Sequence, residues 1–149
     1  MSEADDGIDR AALARRSVRT LAWLGDALFE NVVRHRVAAR GDFAVDRLDA
    51  IKAEVVRAER QAELLEAITP ALLEDELAVV RRGRNTAPPA SARGRRNTQE
   101  YRAASALEAL VAHWWLGEGR PRFDALLVPL LERAIDDALA RRAQRPRRG

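Results

Sequence analysis

Between Leu21 and Leu139, outside the stretch Gly83 to Arg96, the apolar residues of this chain return at steps of three and four, the repeat of an α-helix. Nowhere do they hold the step of two that a half-buried strand requires over a useful length. The expected fold class is therefore all-α, a helical bundle. Leu48, Ile51, Val55, Ala58, Ala62 and Leu65 read as one long helix or two joined ones from about Val45 to Ala67. Thr69 and Pro70 form a start signal, Thr as N-cap and Pro at the first helical position, for a helix with Leu73, Leu77 and Val80 on its buried side through about Arg82. Asn97 and Glu100 have capping-box spacing and open a helix through Leu116, with Ala104, Leu107, Val111 and Trp114 or Trp115 apolar. Phe123, Leu126, Leu127, Leu130, Leu131, Ile135 and Leu139 give a last, broad apolar face, which Pro129 should kink or divide.

The stretch Leu21 to Arg36, LAWLGDALFENVVRHR, lies in a helix expected from near Ser17 to about Ala39, with Gly41 and Asp42 as its stop. Leu21, Leu24, Leu28 and Val32 mark one face, and Asp26 falls nearly opposite. Gly25 in a helix interior costs about 1 kcal/mol, which points to a close backbone approach by another segment or another subunit. Taken alone, Asp26 reads as a solvated carboxylate.

At 149 residues the chain has room for one domain with a real core. Cysteine is absent, which excludes disulfides, thiolate metal sites and cysteine nucleophiles. Glu3, Asp5, Asp6 and Asp9 precede any apolar run, so no signal peptide is expected, no stretch has membrane-spanning length, and a soluble cytoplasmic protein is expected. The organisation reads as an acidic leader, 1–16, partly disordered with a short helix near Arg10 to Arg16, a globular domain, 17–140, and a frayed basic tail, 141–149.

Charge is unevenly spread. Residues 77–102 hold seven Arg against one Glu and residues 141–149 five Arg and no acid, so with a net charge of +3 the body of the chain is acidic. Gly83 to Arg96, GRNTAPPASARGRR, has no periodicity and reads as a basic loop. His35 and His113 lack partners at metal-binding or triad spacing, and Ser/His/Asp arrangements, phosphate-cradling glycine loops and zinc signatures are missing. Carboxylates plus a basic loop remain. Hard carboxylate oxygens suit Mg²⁺, and arginines suit the phosphates of an anionic polymer.

LAWLGDALFENVVRHR resembles the signature helix of the ribonuclease III superfamily, and YRAASALEALVAHWWL resembles its second conserved helix. VVRRGRN, the basic loop and NTQEYR are closer still to Mini-ribonuclease III, the branch built of the catalytic domain alone. The likeness runs from about Val18 to Ile135, and the ordered combination of motifs over about ninety residues is specific where L-G-D-A alone is not.

The resemblance implies a ribonuclease III-type endonuclease domain, homodimeric, with Asp26 and Glu108 as catalytic Mg²⁺ ligands. Two further carboxylate positions of full-length ribonuclease III hold Ala22 and Ser105 here, which fits the reduced branch and leaves the number of metal ions open. It implies hydrolysis of double-stranded RNA to 5′-phosphate and 3′-hydroxyl ends, with precursor 23S ribosomal RNA as substrate and ribosomal proteins as further candidate partners. Arg81, Arg82, Arg84, Asn85, Arg93, Arg95 and Arg96 are the candidate RNA contacts, and Ala22, Gly25 and Ala27 the candidate dimer interface. Two alternatives stand beside it: a non-catalytic RNA-binding or ribosome-assembly module of the same fold, and a helix-turn-helix DNA binder. The second lacks a short helix pair with a polar recognition face.

Overall fold

The computed structural model describes residues 5–86 and 98–144. Among these residues there is no strand. The helices are α1 (Arg10–Ala14), α2 (Val18–Ala38), α3 (Val45–Val56), α4 (Ala58–Ile68), α5 (Glu74–Arg84), α6 (Thr98–Leu116), α7 (Arg120–Leu126) and α8 (Val128–Ala143), with a 3₁₀ turn, Thr69–Ala71, before α5.

α6 is the central element, with α2, α4 and α5 packed on its sides. Every residue from Ala103 to Ala112 is buried except Glu108. A helix apolar all round belongs in the middle of a bundle. Its alanines, Ala103, Ala104, Ala106, Ala109 and Ala112, let the neighbouring helices come close. The outer pieces complete the core, α3 lying on α2 and α8, and α7 on α8.

The buried ladder of α2 is Leu21, Gly25, Phe29, Val33 and Val37, a strict four-residue step. This corrects the expected face: Leu28 and Val32 are half-buried flanks of the core. The apolar stripe is broad enough for either line to be drawn through it, and contact with α6 selects the one containing glycine. With the stripe moved, Asp26 no longer lies opposite the core but beside it.

The segment 45–67 is two helices, divided where Arg57 takes an extended conformation, φ −59° and ψ 151°. The carbonyl of Val56, at the break, accepts from the Gln61 side-chain amide at 2.8 Å. Thr69 does not cap a following helix: its hydroxyl donates back to the Leu65 carbonyl at 2.6 Å, and α5 starts later, at Glu74. There the Leu73 N–H donates to the Glu76 carboxylate at 2.7 Å. α5 runs through Gly83 to Arg84, past the expected start of the loop, and Gly83 lets it lie close on α6, since a Cβ at residue 83 would stand only 2.5 Å from the Cα of Ala106. Arg93, Arg95, Arg96 and the expected cap Asn97 lie outside the described residues.

Pro129 falls in the first turn of α8 and separates it from α7, as its missing N–H demands. α8 continues to Ala143, and Arg141 and Arg142 reach Glu54 of α3 at 3.0 and 3.4 Å, so the expected fraying does not begin at Arg141. One buried charge ties α5, α6 and α7 together. Glu76, 2% exposed, accepts from Trp114 Nε1 at 2.6 Å and from Arg122 Nε and Nη2 at 2.6 and 2.7 Å. Burial by itself would raise its pKa, but Arg122, the Leu73 amide and Trp114 together hold it down at about 2.

Candidate active site

An open cleft of about 590 Å³ lies between α2, the α3–α4 break and α6. Asp26 and Glu108 both line it. Asp26 is exposed on α2, whereas Glu108 is the half-buried break in the apolar surface of α6. Their meeting is enforced from behind. A Cβ on Gly25 would fall inside the Glu108 carbonyl, so only glycine lets the two backbones touch, and the residue after it presents its carboxylate next to that of Glu108. Of the two partners foreseen for the close approach at Gly25, another segment of the same chain is the one found in this structure.

The pair is electrostatically crowded. Burial, the negative charge of Asp26 and a hydrogen bond shared with it push the Glu108 carboxyl up to about 8. Ala22 and Ser105, at the two positions that carry carboxylates in full-length ribonuclease III, line the same cleft. Ala22 also packs beside Leu21, Val79, Ala109 and Ala112. Among the described residues no cluster of three or more His, Cys, Asp or Glu is placed to hold a metal ion.

Of the expected RNA contacts, Arg81, Arg82, Arg84 and Asn85 are exposed at the end of α5, and Arg84 accepts at its carbonyl from Arg102 at 2.9 Å. None of them lines the cleft, which takes Thr86 from this region. Among the described residues its cations are Arg19, Lys52 and Arg57, which the reading of the sequence missed. Arg19, Ala22, Trp23 and Asp26 share one helical face by spacing, so Arg19 could have been found that way. Lys52 could not: it enters from α3, held at 2.8 Å by Glu30 of α2. Trp23 is 78% exposed at the cleft, and Ala27 is exposed on the same helix. The two histidines lie elsewhere, His35 bonded to the Asn31 carbonyl and His113 to Asp75. Trp114 is core, and Trp115 stacks edge-on against Phe123 beneath the Arg120 guanidinium.

Two inner helices that present a carboxylate pair to an open cleft with cations on its wall define a ribonuclease III-type endonuclease domain, and residues 19–119 match the ribonuclease III domain family. The chain belongs to that family. Within it, the similarity is to proteins named Mini-ribonuclease 3. That of Symbiobacterium thermophilum is 42% identical over 111 residues, which cover 72% of this chain and 82% of that protein. That of a Synechococcus species is 40% identical over 130 residues, 85% of this chain and 88% of the other. A crystal structure of a protein from Fusobacterium nucleatum superposes with a TM-score of 0.68 at 24% identity, over 79% of this chain and 94% of that one, and shares the fold.

Proposed function

We propose that this member of an endoribonuclease family is a Mg²⁺-dependent enzyme that hydrolyses double-stranded RNA, acts as a homodimer and matures precursor 23S ribosomal RNA in the cytoplasm. The observation that carries the reading is the Asp26–Glu108 pair, two carboxylates forced together in one cleft, one of them partly desolvated. Like charges so placed suit a hard divalent cation, which would relieve their repulsion. Asp26 and Glu108 would hold it, leaving the rest of its shell to water and RNA phosphate, since Ala22 and Ser105 supply no carboxylate. When bound, the ion supplies Lewis acidity toward the scissile phosphate and a lowered pKa for the attacking water.

The chain's own residues do the rest. Gly25 fixes the spacing of the two carboxylates, and Arg19, Lys52 and Arg57 put positive charge on the wall along which a phosphate backbone would run. Arg81, Arg82, Arg84, Asn85, Arg93, Arg95 and Arg96 would extend that hold to phosphates further along the duplex, as suits an A-form helix read through its backbone. Exposed Trp23, with Ala22 and Ala27 on the same helix, supports the second copy as a partner, and light scattering at micromolar concentration tests it. No described helix is long and apolar enough to cross a membrane.

The test is incubation with a perfect RNA duplex, with and without Mg²⁺. Wild type should cleave it to 5′-phosphate ends only with the metal. Asp26→Asn and Glu108→Gln should each lose roughly a hundredfold or more in rate, the worth of a few kcal/mol of transition-state stabilisation. Metal-free duplex affinity should stay or rise in both. Equal cleavage by Asp26→Asn would remove it as a ligand, and binding without cleavage by wild type would favour the non-catalytic module.

A further inference from the structure

The α3–α4 break carries features that the carboxylate pair does not explain. Arg57 serves at once as the end of α3 and the start of α4, and its side chain makes no cap to the first N–H groups of α4. Those groups begin at Ala58, which lines the cleft, and they carry the positive end of the helix dipole. The Arg57 side chain is exposed on the same wall and forms no ion pair with any described residue. Glu59, in the same turn, is exposed and opposes the field.

The second observation lies one turn further on. Gln61 is 4% exposed and lines the cleft, and its Nε2 is anchored on the Val56 carbonyl, which fixes which end of the amide is oxygen. Its Oε1 has no donor among the described residues. The other buried atoms in this position, Arg60 Nε and Arg142 Nε, belong to guanidinium groups that each have another nitrogen paired, Arg60 Nη1 with Glu63 and Arg142 Nη2 with Glu54. Gln61 Oε1 is different: it is the whole acceptor of its group, and a buried acceptor without a partner calls for one.

Resting on the reading of the cleft as an RNA site, we infer that the α3–α4 break is a nucleotide-binding corner. The end of α4 with Arg57 takes a phosphate of the substrate strand, and Gln61 Oε1 accepts from the 2′-hydroxyl of the adjoining ribose. Phosphate suits an uncapped helix end and a guanidinium, and a carbonyl oxygen suits a hydroxyl, not a phosphate. Oε1 is closed to solvent in the unbound protein, so the Gln61 amide must turn toward the cleft for this contact to form on binding. The corner would let the cleft tell RNA from DNA at one position, because the 2′-hydroxyl is the group that differs.

The experiment is a binding scan in metal-free buffer, so that it does not depend on cleavage. Duplex RNAs carrying a single 2′-deoxy nucleotide, or a single uncharged methylphosphonate, at successive positions are bound to wild type, Gln61→Met and Arg57→Ala by filter binding. Wild type should lose about fivefold to tenfold in affinity at one 2′-deoxy position and at one neighbouring methylphosphonate. Gln61→Met should abolish the first penalty alone and Arg57→Ala the second alone, with penalties elsewhere kept. A flat wild-type scan, or penalties that persist unchanged in both variants, overturns the corner. Arg57 is exposed, so its arm stands if Gln61→Met does not fold. Wild type that binds with the expected scan but cleaves no duplex in Mg²⁺ would sink the nuclease reading and leave the corner intact.

Discussion

The backbone of Glu108 occupies the space where a side chain on residue 25 would begin, so Gly25 and Glu108 are in direct main-chain contact at the crossing of α2 and α6. The residue after Gly25 is Asp26, and the carboxylate pair is therefore built by the packing contact between α2 and the central helix α6.

Gly25→Ala follows directly. A methyl group there meets backbone atoms and not the movable end of a side chain, so α2 must shift away from α6. Overpacking of this kind should cost about 3 kcal/mol or more. Urea unfolding should show the loss, and residual cleavage in the folded fraction should fall as well, since Asp26 moves with α2. Wild-type stability in this variant would mean the helices are looser than they stand.

A second expectation concerns protons. In the metal-free protein Glu108 titrates at about 8, above its ordinary 4.5. Below pH 4.5 the group is protonated folded or unfolded and contributes no pH dependence. Between 4.5 and about 8 the folded state keeps a proton that the unfolded chain has lost, so stability falls as pH rises across that window. Glu108→Gln should flatten this slope. Mg²⁺ binding near pH 7 should release a proton, seen in calorimetry as a binding heat that changes with the ionisation enthalpy of the buffer. A buffer-independent heat would place the ion away from Glu108.

Glu76 behaves in the opposite sense. Its carboxyl titrates at about 2 against an ordinary 4.5, so its stabilisation is complete above pH 4.5 and is lost as pH falls toward 2. Glu76→Gln leaves the buried edge of Arg122 without its counter-charge, and removal of one partner of a buried pair costs about 3–5 kcal/mol. Thermal melts at pH 7 and pH 3 should therefore converge between wild type and variant as pH drops. A constant difference would mean that packing, not charge, holds the three helices.

The helices themselves were legible because each buries its own face, and a period of three to four residues records this locally. Which line through the broad stripe of α2 is innermost was not legible, since that depends on α6, which begins only at Thr98. Gly25 announced a close approach but not its partner. The carboxylate pair was found through resemblance, because neither Asp26 nor Glu108 is unusual in its own helix. The cations of the cleft were missed for a related reason. The densest run of arginines lies in one stretch of sequence, whereas the wall is assembled from single residues of α2, α3 and the α3–α4 break, Lys52 being the clearest case.

Lys52 also decides how Glu30 should be regarded. One turn from Asp26, Glu30 could pass for a neutral control, but its Oε1 holds Lys52 Nζ at 2.8 Å and Arg34 Nη2 at 3.3 Å, and the bond to Lys52 leads in keeping its carboxyl below the ordinary range. Glu30→Gln should release the ammonium toward the carboxylates and the RNA. Metal-free duplex affinity should rise a few-fold, and more Mg²⁺ should be needed for half-maximal cleavage. Lys52→Met should do the reverse to binding, lowering affinity and reducing the slope of log affinity against log salt by about one, the signature of one lost phosphate contact. An Arg93, Arg95 and Arg96 triple-alanine variant should flatten that slope further than Lys52→Met does, if the loop grips several phosphates and the cleft wall one. Equal slopes for wild type and the triple variant would assign the polyanion grip to the cleft wall and the end of α5 alone.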